Sequence, residues 1–127
     1  MREEPVNVPN GALAGRSILI VEDEPLIALE VHAVFSAAGA SIVSASDTRE
    51  ALRTISLPDL SAAVVDMNLG SEDCSAVCKR LSDRGIRFIF YTGEARADIL
   101  LKWPDAPVLT KLADKQRIVE VVAGVLR

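Results

Sequence analysis

The sequence predicts an α/β protein, a single parallel sheet covered by helices on both faces. Two observations carry this. Five short apolar runs, Ser17–Val21, Ile42–Ala45, Ala62–Val65, Phe88–Tyr91 and Val108–Thr110, alternate with stretches of helical periodicity. The runs are apolar nearly throughout rather than at every second residue, which is the pattern of strands buried on both faces.

Residues 1–15 hold two prolines, two asparagines and two glycines with little periodicity, and are expected to be a flexible leader before a domain over 16–127. After the first strand, Pro25 suits the first turn of a helix. Its stripe is Ile27, Val31, Val34 and Ala38, and Gly39 stops it. Asp23 or Glu24 is expected to cap it. The second helix runs from about Thr48 to Ser56, with Asp47 and Glu50 placed for a capping box. The third covers about Ser75 to Ser82, with Gly85 just past its end. The fourth, within "EARADILLK", is weak and closed off by Pro104; the last runs from Asp114 to Leu126 with Ile118, Val121, Val122 and Val125 inward. Right-handed crossovers favour the flavodoxin-like (βα)5 strand order 2-1-3-4-5 for such a chain.

At 127 residues, 50% of them apolar, the chain has enough core for one domain. A net charge of −4 and the lack of a basic run argue against direct DNA binding. No apolar stretch approaches the ~20 residues of a membrane span, and residues 1–16 lack the apolar core of a secretion signal. Cys74 and Cys78 are too few for a disulfide framework, and a single His leaves no zinc set, so a reduced, cytoplasmic protein is expected. His32 reads as a helix-face residue, the two cysteines as inert, and Trp103 as a packing residue close enough to the strand ends to report on them.

The polar residues that directly follow the apolar runs carry the functional argument. Strand one ends in Glu22-Asp23, strand three in Asp66, strand four in Thr92, and strand five runs into Lys111. In a sheet of this order ligands sit outside the C-terminal strand ends, at the switch point between strands one and three. Two carboxylates about 4 Å apart repel by roughly 4 kcal/mol at an effective dielectric of ~20, and three together cost on the order of 10 kcal/mol. A hard divalent cation relieves this while keeping the charge useful. An incomplete octahedron of carboxylates, a carbonyl and waters suits Mg²⁺, with the missing ligand supplied by a phosphate.

The motifs "ILIVEDE", "VVDMNL", "FYTGE" and "LTKL", in this order, resemble those of the receiver domains of two-component response regulators, over about residues 16–127. The resemblance implies a Mg²⁺-dependent phosphoacceptor, a signalling module rather than an enzyme, with Asp66 as the phosphoryl acceptor. Asp23, Asp66 and the backbone carbonyl of Asn68 would bind Mg²⁺, with Glu22 acting through water. Thr92 would hydrogen-bond the phosphoryl group and Lys111 would pair with the carboxylate or the phosphoryl. The implied upstream partner is a histidine kinase or histidine phosphotransfer protein. The implied interaction surface is the face of fourth helix, fifth strand and fifth helix, which also serves for a homodimer.

Three features depart from the family pattern. Leu112 replaces the usual proline after the lysine, and since a cis bond before leucine costs about 2.5–4 kcal/mol, a trans bond is expected. Val108 replaces the usual aromatic switch residue. The stretch between Thr92 and Lys111 is short, and Gly70 and Cys74 stand where proline and glycine are common after Asp66. "DMNLG" and "FYTG" resemble an atypical stand-alone subgroup, and the region Gly93–Pro107 is expected to be mobile and to read out phosphorylation. With nothing after Arg127, output is expected through protein contacts. A fragment of a hybrid kinase would look the same. The rival is a pseudo-receiver that binds a partner without being phosphorylated. A phosphatase is disfavoured because Asn68 stands where a general acid would.

Overall fold

The computed structural model describes residues 11–127. In chain order the elements are β1 (Ser17–Val21), α1 (Pro25–Ala37), β2 (Ser41–Ala45), α2 (Thr48–Ile55), β3 (Ala62–Val65), β4 (Asn68–Leu69), β5 (Glu72–Asp73), α3 (Ser75–Asp83), β6 (Arg87–Thr92), α4 (Ala97–Lys102), β7 (Val108–Thr110) and α5 (Lys115–Val125). The main sheet has the order β2-β1-β3-β6-β7, all parallel. Counting only those five strands, this is the expected order 2-1-3-4-5.

The central runs β1, β3 and β6 bury both faces because strand side chains alternate. In contrast, β2 and β7, at the sheet edges and covered less fully, are half exposed, contrary to the expectation for every run. Ile18, Ile20, Ala62 and Val64 point to a core shared with Val31 and Phe35 of α1 and with Ile118, Val119 and Val122 of α5. Leu19, Val21, Ala63 and Val65 point to the other core, with Ala51 and Ile55 of α2, Val77, Cys78 and Leu81 of α3, and Ile99 of α4. Phe35 and Val119, outside the stripes read from sequence, are fully buried. Cys74 and Cys78 are free and buried. The Cys74 contact and burial push the Cys78 thiol well above the usual range, which leaves it inert.

Several local expectations change. Residues 1–10 of the expected leader lie outside the described residues. Residues 11–15 form a turn that belongs to the domain: Leu13 is 1% exposed, and its N–H donates to the Ala38 carbonyl at 2.9 Å. One large apolar side chain between small residues anchors it. Gly39 ends α1 at φ +93°, with Gly11 packed so close that a Cβ would stand 3.2 Å from its Cα. Neither Asp23 nor Glu24 caps α1 through its side chain. Glu24 occupies the cap position, and its N–H donates instead to Glu22 Oε2 at 3.1 Å.

Only half of the capping box on α2 forms. Asp47 Oδ1 accepts from the Glu50 N–H at 2.8 Å, while the Glu50 carboxylate accepts from the Ser46 hydroxyl. The small hairpin β4–β5 was not anticipated; it turns through Gly70 at φ +67°. The fourth helix is short, as expected, and begins only at Ala97, because the Glu94 carbonyl is turned toward Asn68 and Thr92. Trp103 packs edge-on against Phe88 near the start of β6, at the opposite end of the strand from Thr92, so it does not sit beside the strand-end acids. No described helix is long and apolar enough to cross a membrane.

Candidate functional site

Strand register assembles the site. Val21 pairs with Val65, so Glu22 and Asp66 leave their strands side by side, and the Asp66 N–H donates to the Val21 carbonyl at 3.0 Å. Thr92 pairs with Thr110, and the Lys111 N–H donates to the Thr92 carbonyl at 3.0 Å. Each polar residue is thus the first beyond, or the last within, a strand. Glu22, Asp66 and Thr92 end strands whose apolar side chains are locked in the core, and Lys111 follows the half-exposed edge strand β7.

Asp66 is the hub. Its Oδ1 accepts from Thr92 Oγ1 at 2.9 Å and from the Asn68 N–H at 3.2 Å, and its Oδ2 accepts from Lys111 Nζ at 2.9 Å. Lys111 Nζ also stands 2.9 Å from Glu22 Oε1 and donates to Glu24 Oε1 at 3.2 Å. Thr92 has a second acceptor in the Glu94 carbonyl at 3.2 Å, so its one hydroxyl proton can turn either way. The Lys111–Leu112 peptide bond is trans, and Leu112 is 97% exposed.

Glu22, Asp66 and Thr92 are all buried, whereas Asp23 is the least buried of the three acids. Burial pushes the Glu22 carboxyl up to about 7, against the lowering pull of its hydrogen bonds from Lys111 and the Glu24 N–H. Burial works in the opposite direction on Lys111, lowering its pKa, but the bonds to Glu22 and Asp66 outweigh it and hold the ammonium above the usual lysine range. One lysine therefore compensates several carboxylates, and a surplus of negative charge remains.

Glu22, Asp23 and Asp66 offer carboxylate oxygens that lie within 4.8 Å of one another. These are hard oxygen donors, and oxygens on one Mg²⁺ lie at most about 4.2 Å apart, so the set fits such an ion with a small rotation or one ligand held through water. Above them opens a cleft of about 430 Å³, lined by Asp23, Glu24, Asp66, Asn68, Gly70, Gly93, Glu94 and Lys111. Another cleft, of about 450 Å³, is lined by Ile86, Phe88 and Trp103 at the far end of β6 and touches none of the strand-end acids.

All six sequence-selected residues therefore meet at one sheet edge. Asn68 comes by its backbone N–H and its side chain, which donates to the Glu94 carbonyl at 3.3 Å. Two contributors escaped sequence reasoning. Glu24 is visible in the sequence as a third consecutive acid after a buried strand and as a cap candidate, but nothing in the sequence pairs it with Lys111. The Glu94 carbonyl carried no signal, because any residue supplies one.

Fold and site together define an α/β domain that gathers acids, a hydroxyl and an ammonium at its switch point. The chain belongs to the response regulator receiver domain family, whose pattern matches residues 18–123. It is thus a receiver domain of the two-component type. No curated protein matches it significantly. Among solved structures it is similar to a CheY-like receiver domain protein from Methanospirillum hungatei, at 22% identity and a TM-score of 0.79, over 87% of this chain and 93% of that one. It is also similar to a two-component response regulator from Clostridium difficile, at 18% identity and a TM-score of 0.78, over 88% and 96%. A third is the receiver domain of a sensor histidine kinase from Pseudomonas aeruginosa, with magnesium coordinated in its active-site cleft. It is 21% identical with a TM-score of 0.77, over 89% and 98%. At these identities the likenesses speak to the fold.

Proposed function

We propose that this chain is a Mg²⁺-dependent phosphoacceptor that takes a phosphoryl group on Asp66 from a histidine kinase or histidine phosphotransfer protein. The observation that carries this reading is the set of donors on Asp66: a hydroxyl, an ammonium and a backbone N–H converge on a carboxylate that also belongs to a three-acid oxygen cluster. A surface aspartate ending a strand needs none of these.

Asp23 and Asp66 would hold the metal directly with the Asn68 carbonyl, and Glu22 through water. Magnesium supplies charge neutralisation when bound. The chain's own residues supply the rest. An Asp66 oxygen forms the new O–P bond as the N–P bond to the donor imidazole breaks, and the electron pair stays with the leaving imidazole. Thr92 Oγ1 and Lys111 Nζ already lie 2.9 Å from the two Asp66 oxygens, within reach of phosphoryl oxygens that carry the developing charge. The product is a labile mixed anhydride, so the module stores a signal rather than turning over a substrate. Output would pass through protein contacts, with α4, β7 and α5 as the proposed face for a target or a second copy, in a cytoplasmic setting.

The test is the intact mass after adding a small acyl phosphate, with and without Mg²⁺, for the wild type and Asp66→Ala. A gain of one phosphoryl group that needs both Mg²⁺ and Asp66 is the expected result. No gain in a folded protein would replace this reading with a pseudo-receiver.

A further inference from the structure

An ammonium has three N–H groups, and three carboxylates surround that of Lys111: Asp66 Oδ2 and Glu22 Oε1 at 2.9 Å and Glu24 Oε1 at 3.2 Å. The three partners are not equivalent. Glu22 and Asp66 belong to the oxygen cluster that fits a cation, and Glu24 does not. The Glu22 and Asp66 side chains are 3% and 6% exposed, whereas that of Glu24 is 63% exposed. A cation in the cluster would repel the ammonium and take up the charge of its two buried partners. Glu24 would then be the one anion left to hold Lys111 near Asp66.

Both ends of this contact are anchored through the main chain. The Glu24 N–H donates to Glu22 Oε2, and the Glu24 carbonyl accepts from the Ala28 N–H at 3.0 Å as α1 begins. The Lys111 N–H is fixed on Thr92, and the Lys111 carbonyl accepts from Tyr91 Oη at 3.4 Å. The next side chain, Leu112, stands in solvent and braces nothing. Beyond the packing of its stem beside Gly93, the place of the ammonium is thus set by its carboxylates.

We propose that Glu24 is a positioning residue for the transfer at Asp66: bridged to Lys111 at the rim of the cleft, it keeps the ammonium at the mouth of the site when Glu22 and Asp66 turn to a cation, and yields that N–H to the arriving phosphoryl group. This rests on the phosphoacceptor reading above. Exposure and the longer distance make the Glu24 contact the one most readily given up.

The experiment uses the wild type, Glu24→Gln, Lys111→Met and the double variant. For each, the Mg²⁺ dissociation constant is measured by calorimetry, and the rate of one-phosphoryl mass gain from a small acyl phosphate is measured at saturating Mg²⁺. Glu24→Gln is expected to slow the gain and weaken Mg²⁺ binding by about two- to fivefold, the scale of one partly exposed ion pair. Glu24→Asp, which keeps the carboxylate, is expected to retain most of the rate. In the Lys111→Met background Glu24→Gln is expected to change neither quantity. Equal effects in both backgrounds would overturn the proposal, since Glu24 would then act as a plain charge or a ligand; so would no effect in either. If Lys111→Met blocks the mass gain, the Mg²⁺ constants decide. A wild type that gains no phosphoryl group would overturn the phosphoacceptor reading itself, and this proposal with it.

Discussion

Lys111 Nζ stands 2.9 Å from Asp66 Oδ2, although β6 separates the strands from which the two residues emerge. The lysine reaches across the end of β6 beside Thr92, so a cation and an anion from non-neighbouring strands close over a buried hydroxyl. In the absence of metal this ion pair holds the acid edge together.

Lys111→Met should therefore cost about 3 kcal/mol of stability at neutral pH without metal, the scale of a buried pair that loses one partner. Millimolar Mg²⁺ should restore much of it, because the cation takes over the same charge. Denaturant unfolding in chelator and in Mg²⁺ measures both. A loss that Mg²⁺ leaves unchanged would mean that the lysine contributes packing rather than charge.

Thr92→Val keeps the shape of a side chain that is 1% exposed but removes the donor to Asp66 Oδ1. A hydrogen bond to a charged acceptor contributes about 1.5–3 kcal/mol. Urea unfolding of the variant should show a loss of that size, and its phosphoryl gain should be slower than that of the wild type.

Asp73 caps α3 from one residue outside the helix boundary, its Oδ1 accepting from the Ser75 N–H at 2.8 Å. That hydrogen bond, more than the nearby Arg96 and Lys102 charges, holds its carboxyl below the usual 3.8. A carboxyl depressed in the fold contributes stability that is present above its unfolded value and lost as pH falls through the folded one. Asp73→Ala should therefore cost about 1 kcal/mol at pH 7 and progressively less below about pH 4. Thermal unfolding of both proteins at pH 7 and pH 3 tests the sign.

The stretch Gly93–Pro107 contains only the six-residue α4, in which Ile99 is the one buried side chain. So short a helix, with one fully buried side chain and only partly buried packing from Leu100, Trp103 and Ala106, opens more readily than the core strands. Hydrogen exchange should find this stretch less protected than β1, β3 and β6, with protection that changes on phosphorylation. Protection equal to the core in both states would remove it as the readout.

Legibility varied with the number of residues that carried a signal. All five main strands were visible because each is a short, largely apolar run, although only the central β1, β3 and β6 are buried on both sides and the edge strands β2 and β7 are half exposed. The hairpin β4–β5 was not, because two-residue strands have no period to detect. Leu13 was lost in a Gly- and Pro-rich stretch without periodicity, and its side chain finds a slot only once α1 is folded. Trp103 follows α4 closely in sequence, yet it packs on Phe88 near the start of β6.

By itself the sequence determined which residues end the strands, and hence that Glu22, Asp23, Asp66, Thr92 and Lys111 share one sheet edge, because parallel strands with apolar interiors deliver their first polar residues to the same place. Only the tertiary structure decided how those residues divide the charge. Lys111 is shared among Glu22, Glu24 and Asp66, and Thr92 between Asp66 and the Glu94 carbonyl. Strand periodicity specifies where a backbone ends, whereas the reach of a lysine and the turn of a hydroxyl depend on distances of a few ångströms set by packing across the whole sheet.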